Sequence, residues 1–167
     1  MATALALLIS GAAAQDVDFE RCGELPAAVA ETRDAVRSAA AKGDLAALAR
    51  LTDPARFTYS FGDGGDPAAY WESLKGEGTD VGAIIVALLD MTCVTFEIEG
   101  DATYYEWPAA AEMAHEFLTK EEIAALEQLY GGKLEEQYIE GTEVGYYAGW
   151  RLLITEDGRW DTFVAGD

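Results

Sequence analysis

The C-terminal stretch, residues 144–167, constrains the fold more than any other part of the chain. Two runs rich in aromatic and β-branched residues flank a turn centred on Asp157-Gly158. An Asp-Gly pair between such runs is a strong local signal for a β-hairpin. We therefore expect a hairpin here, with the rest of the molecule packed on it and with Trp150 and Trp160 as paired buried anchors.

The preceding residues alternate between helical and strand patterns. Apolar residues recur at helical spacing in five segments: 25–40, 45–51, 66–75, 80–89 and 119–130. Asp44, Asp66 and Asp80 stand at expected N-cap positions, and Thr119 with Glu122 forms a capping-box pattern. Alternation predicts a strand over 56–61 and a second hairpin over 93–107, and residues 109–117 look helical. This order predicts a single α+β domain, a mainly antiparallel sheet with helices packed on one face.

The first fourteen residues have the pattern of a secretory signal peptide. They are small and apolar, and they end in an Ala-x-Ala pattern at Ala12 and Ala14. A short buried N-terminal helix is the alternative. The run is too short to span a bilayer, and no later stretch is long enough. We expect a periplasmic or secreted domain, residues 15–167, with no transmembrane segment in the mature chain.

The chain has two cysteines, Cys22 and Cys93. In an oxidising compartment an even number of cysteines indicates a disulfide. Such a bridge would stabilise the fold by roughly 4 kcal/mol through chain entropy. Two unrelated buried thiols are the alternative.

The charge is strongly negative, because 31 Asp and Glu residues face 11 Lys and Arg residues, for a net charge of −20. No basic cluster is present, so nucleic acid and anionic membranes are poor partners. Two interpretations remain open. The acidic residues form a solvated surface, as in proteins from salty habitats, or they form a docking face for a basic partner or a cation.

No catalytic set is complete in the sequence. His115 is the only histidine, and Glu112-x-x-His115 would be half of a di-iron site whose other half needs a second histidine. A hydrolase using Glu106 and His115 is a weak alternative. The second hairpin carries four acidic residues among its aromatic residues: Glu97, Glu99, Asp101 and Glu106. Such carboxylates could act on a glycan, or they could form a sheet face turned to water, which is the preferred interpretation.

Asp63 and Asp66 are weak candidates for a calcium site. Their loop departs from the Asp-x-Asp-x-Asp-Gly pattern, and turn formation and helix capping explain both residues. We therefore predict no metal and no cofactor.

Two family resemblances add to this interpretation. The segment Ala-Lys-Gly-Asp-Leu-Ala-Ala-Leu at 41–48, followed by Phe-Thr-Tyr-Ser-Phe at 57–61, resembles the start of NTF2-like α+β domains. That resemblance implies a pocket for a small apolar molecule. Its walls would be aromatic residues that could equally be plain core: Tyr59, Phe61, Tyr70, Trp71 and Trp107.

The second resemblance rests on the motif Tyr105-Glu-Trp107-Pro108 and on the ending Asp157-Gly-x-Trp160-x-x-Phe-Val-Ala-Gly-Asp. Both are similar to uncharacterised exported bacterial proteins. This resemblance implies a single exported domain and carries over no functional residue.

These observations predict a non-catalytic exported protein. It would be an accessory or binding protein of a cell-envelope assembly, docking on another protein through its acidic surface. An NTF2-like pocket protein and an inhibitor of a basic secreted enzyme, such as lysozyme, are the alternatives.

Overall fold

The structure, a computed structural model, describes residues 19–60, 65–98, 102–139 and 146–166. Its helices are α1 (Ala27–Ala41), α2 (Leu45–Arg50), α3 (Pro67–Gly76), α4 (Val81–Leu89) and α5 (Lys120–Tyr130). Its strands are β1 (Glu20–Arg21), β2 (Val94–Glu97), β3 (Thr103–Trp107), β4 (Tyr138–Ile139), β5 (Tyr146–Tyr147), β6 (Arg151–Thr155) and β7 (Trp160–Val164). The main sheet has the order β1-β2-β3-β6-β7 with antiparallel pairs, and β4 pairs with β5 separately. The predicted α+β fold class is confirmed.

Local capping explains where several helices begin. The side chains of Asp44 and Asp80 accept hydrogen bonds from the backbone N–H groups three residues later, at 2.8 and 3.0 Å. Asp66 caps α3 in a similar way, and Pro67 follows it at the first helical position. These bonds satisfy backbone donors that have no partner inside the helix.

The predicted C-terminal hairpin is formed by β6 and β7. Gly158 in its turn has a φ of 85°, a conformation that favours glycine. A Cβ atom at this position would lie 2.7 Å from the backbone oxygen of Ala28 in α1. The hydroxyl of Thr32 also donates a hydrogen bond to the Gly158 carbonyl at 2.6 Å. The turn is therefore held directly against the first helix.

The larger core lies between the helices and one face of the sheet. Trp107, Leu152 and Ile154 contribute that face of the sheet, and α1 to α4 contribute the opposite side. Trp160 packs edge to face on Phe57 and stacks on Trp71. Trp150, the other predicted anchor, is half-buried and stacks on Phe163 at 4.9 Å instead. A smaller core lies under α5 and contains Ala110, Leu118, Leu126, Leu134 and Tyr147.

Two local predictions were wrong. Residues 56–60 form no extended strand. A turn occupies residues 54–56, and this part of the chain pairs with β7 only through isolated parallel bridges at Thr52 and Thr58. Residues 109–117 form two short 3-10 turns, Ala109–Ala111 and His115–Phe117, instead of one helix. Ala114 between them has an extended backbone, with a ψ of 143°, which interrupts helical hydrogen bonding.

The predicted disulfide is confirmed. Cys22 and Cys93 are bonded with an S–S distance of 2.04 Å and bridge a sequence separation of 71. The bridge fastens the end of β1 beside the start of β2, where the backbone N–H of Cys22 also donates to the Cys93 carbonyl. Among the described residues, no helix combines the length and hydropathy needed to cross a bilayer. The predicted signal peptide, residues 1–14, lies outside the described residues.

Candidate functional site

The aromatic residues predicted to wall a pocket lie mostly in the larger core. Trp71 and Trp107 are buried, and the half-buried Tyr59 and Tyr70 pack against the same cluster. Phe61 lies outside the described residues. The contacts of Trp71 with Phe57, Trp160 and Phe163 show that it packs as a core residue. An NTF2-like pocket stays a prediction.

The residues considered for metal or acid–base chemistry do not form one site. Asp66 caps α3, and Asp63 lies outside the described residues. His115 is exposed, and its ring meets the edge of Tyr138 at 5.6 Å between centroids. Within the described parts of the chain, no three His, Cys, Asp or Glu side chains converge as a metal-ion site.

Glu106 departs most from its expected environment. We expected the carboxylates of the second hairpin to face water, but Glu106 is only 1% exposed, so this expectation was wrong for it. Alternation along β3 places Trp107 in the larger core and Glu106 on the opposite face of the sheet. The segment after β3, which carries Glu112, covers this face. Glu97 is exposed, and Glu99 and Asp101 lie outside the described residues.

Glu106 and Glu112 form a carboxyl pair. Each carboxyl group shifts the pKa of the other, in the directions that favour a proton on Glu106 and a charge on Glu112. Burial, followed by the adjacent charge of Glu112, raises the pKa of Glu106 well above its ordinary value. Glu112 lies at the exposed rim. We therefore assign the proton to Glu106, whose buried Oε2 atom has no hydrogen-bond partner among the described residues.

Arg151 is the positive charge that acts on this pair. Register places Glu106 opposite Leu153, so Arg151 lies two residues along the same face of β6. Its charge lowers the pKa of both glutamates, although burial outweighs it at each. The charge of Arg151 also lowers the pKa of Tyr147, so Arg151 lies close enough to act electrostatically on both the carboxyl pair and a tyrosine.

Two tyrosines form hydrogen bonds with the backbone of Trp150, the residue that precedes β6. The hydroxyls of Tyr130 and Tyr147 are 2.7 Å apart. The backbone N–H of Trp150 donates to Tyr130 at 2.8 Å, and Tyr147 donates to the Trp150 carbonyl at 3.2 Å. Burial raises the pKa of both phenols, so they remain neutral donors and acceptors. This ring of bonds fixes the chain between β5 and β6.

A groove of about 610 Å³ runs between α4 and α5. Its half-buried apolar side chains are Ile84, Ala87, Met91, Ala125 and Leu129. Asp80 and Asp90 lie at the two ends of α4, and none of the eleven described lining residues is Lys, Arg or His. Sequence reasoning missed this groove. Small residues on the two helices, Ala83, Ala87 and Ala125, are a local signal, but they do not show how the helices are spaced.

Many of the chain's few cations are engaged with its own carboxylates. Ion pairs join Arg21 to Glu122, Arg33 to Asp34, Arg37 to Asp90, Lys133 to Glu136 and Arg159 to Asp161. At least these five Lys and Arg residues of the described segments are thus paired within the molecule. These five cations therefore do not form a basic patch on the surface, and the net charge of the chain is −20.

Comparisons of this chain with protein-family models, with characterised proteins and with solved structures find no match.

Proposed function

We propose that this chain is a non-catalytic exported binding protein that docks on a basic partner through its acidic surface, as an accessory subunit of a cell-envelope assembly. The observation that carries this proposal is the charge balance. The net charge is −20, and at least five cations of the described residues form ion pairs with the chain's own carboxylates. A surface of one sign attracts a partner of the opposite sign and accelerates its encounter.

The disulfide supports the exported location. Bridges of this kind persist in oxidising compartments and are rare where thiols are kept reduced. Cys22–Cys93 closes a long loop and anchors the strand that would follow a signal peptide in residues 1–14.

The carboxyl pair gives little support to the alternative of a hydrolase. Glu106 is 1% exposed, and its carboxyl contacts that of Glu112. Glycoside hydrolysis uses carboxyl groups roughly 5–9.5 Å apart, because the scissile bond and water must fit between them. His115 is exposed and its ring contacts Tyr138. The pair fits a structural role better than a catalytic one.

Gel filtration of gently solubilised cells, with this chain detected by an antibody, tests the proposal. We expect elution with a large assembly at low salt and elution near the chain's own mass at high salt, because salt screens exposed charges. Elution near the chain's own mass at both salt concentrations would contradict an accessory role. An activity assay of lysozyme with excess protein would then test the inhibitor version.

A further inference from the structure

We propose that the groove between α4 and α5 is the docking site for a basic amphipathic helix of the partner protein. This inference rests on the proposed function and specifies which part of the acidic surface makes specific contact. The groove combines an apolar floor with acidic ends, and each feature restricts the occupant.

The shape of the groove fits a helix. Small residues on both walls, Ala87 on α4 and Ala125 on α5, leave space between the two helices. Helices pack with axes 8–10 Å apart, and small side chains allow a third helix to approach both walls. α4 has nine residues, which corresponds to a length of about 13 Å, or between two and three turns of a bound helix.

The floor requires an apolar face on the occupant. Ile84, Met91 and Leu129 are half-buried, and each already packs against one of the two cores. The groove therefore continues the interior of the protein to its surface. An amphipathic helix that lays its apolar face in such a groove is a recurrent form of recognition.

The ends require positive charge on the occupant. Asp80 and Asp90 lie at opposite ends of α4, about 15 Å apart at the rise of a helix. Glu121 is exposed one turn before Ala125 on the same side of α5, and it adds a further carboxylate. Asp90 is shared with Arg37, so Asp80 and Glu121 are the acids available to lysines or arginines flanking the apolar face.

A labelled helical peptide, with leucines on one face and lysines on both flanks, provides the probe for binding by fluorescence anisotropy. We compare Ala125→Trp, which fills the groove, with Ala124→Trp, its exposed neighbour outside the groove. We expect Ala125→Trp to weaken binding at least about tenfold, the effect of losing one central anchor, and Ala124→Trp to match the unmodified protein. Equal binding by the two variants would overturn the proposal.

Three further measurements make the result specific. Ala87→Trp fills the groove from α4 and should repeat the loss if Ala125→Trp disturbs folding, which circular dichroism reports. Asp80→Asn with Glu121→Gln keeps the helix cap and removes two charges, and we expect about fivefold weaker binding at low salt. A peptide with glutamates in place of lysines should not bind. If it binds equally, the charge part of the proposal is wrong.

The outcomes for the groove and for the proposed function are separable. If the chain elutes with a large assembly at low salt but Ala125→Trp leaves both this elution and peptide binding unchanged, the groove is wrong and the function stands. If the chain elutes near its own mass at every salt concentration, the proposed function fails, and peptide binding alone then decides whether the groove recognises a basic helix.

Discussion

Glu106 and Glu122 are both buried, with 1% and 9% of their surface exposed, yet their surroundings shift their pKa values in opposite directions. Arg21 donates to both carboxylate oxygens of Glu122 at 2.9 and 3.0 Å. The backbone N–H of Thr119 adds a bond at 2.7 Å. The bonds from Arg21, more than any other contact, lower the pKa of Glu122 to about 2. Glu106 meets another carboxyl group instead, and burial raises its pKa.

The difference shows that burial does not decide whether a carboxyl group is charged. Donors aimed at the charged form favour it, and their absence leaves the cost of desolvation uncompensated. At Glu122 a capping box and an arginine supply these donors. At Glu106 the positive charge of Arg151 lowers the pKa by less than burial raises it. Glu122 is therefore a charged group that joins α5 to β1 through Arg21, and Glu106 is a neutral carboxyl group buried against the sheet.

The largest effect should come from removing the disulfide that holds Arg21 in place. We expect Cys22→Ala with Cys93→Ala to lower the free energy of unfolding by about 4 kcal/mol, because the unfolded chain regains the entropy of a long loop. The pKa of Glu122, followed by NMR, should rise toward its ordinary value, while that of Glu106 stays raised. Equal shifts at both glutamates would contradict independent environments. Urea unfolding measures the stability.

The second effect should come from removing the arginine itself. Arg21→Met leaves the Glu122 carboxylate without its main donor and should lower the free energy of unfolding at pH 7 by about 2 kcal/mol, as for a hydrogen bond to a charged group. Because the folded pKa of Glu122 is lowered, its contribution is present above the unfolded value and is lost as pH falls toward about 2. The variant should lose less stability on acidification.

Arg33→Met is the matched control for Arg21→Met. Arg33 pairs with Asp34 at the surface and should contribute about 0.5 kcal/mol or less. If urea unfolding shows the same loss for both variants, the Arg21–Glu122 pair has no special role.

The third effect should have the opposite dependence on pH. Because the folded pKa of Glu106 is raised, its contribution is complete below the unfolded value and is lost as pH rises through the folded value. Glu106→Gln keeps the size of the side chain and removes the titration. We expect the difference in the free energy of unfolding, variant minus unmodified protein, to be about 1 kcal/mol larger at pH 8 than at pH 4. Thermal unfolding across this range would contradict the assignment if the two stabilities change in parallel.

The smallest effect should come from Glu112→Gln. Glu112 lies at the rim, so we expect a change in the free energy of unfolding within about 0.5 kcal/mol at pH 7. Removing its charge should nevertheless lower the pKa of Glu106, because the like charge disfavours ionisation. NMR titration of the Glu106 side chain measures this shift. An unchanged pKa of Glu106 would show that burial alone sets it.

The environment of Glu122 was more predictable from the sequence than that of Glu106. Thr119 and Glu122 form a local pattern whose geometry is set within one helical turn, so the capping box was predictable. The disulfide was predictable from the cysteine count, although the contact between Arg21 and Glu122 was not, because 101 residues separate them.

The pair Glu106–Glu112 was hidden by a local error. The sequence pattern assigned Glu112 to a helix over residues 109–117, whereas in the structure Glu112 follows directly after the short turn Ala109–Ala111. Alternation along β3 shows that Glu106 and Trp107 face opposite sides, but it does not show that both sides are covered. The groove between α4 and α5 was not predictable either, because it depends on how two separately amphipathic helices are spaced.

The contact between Gly158 and α1 has a consequence for the order in which parts of the fold can form. The hydrogen bond from Thr32 to Gly158 spans 126 residues. Contacts of such separation form late and slow the folding of a chain. During synthesis α1 can already pack on α2 and α4, but its contacts with the turn at Gly158 and with β6 form only after that hairpin has been made. The larger core is therefore completed only when the last hairpin, β6 and β7, is in place against the helices.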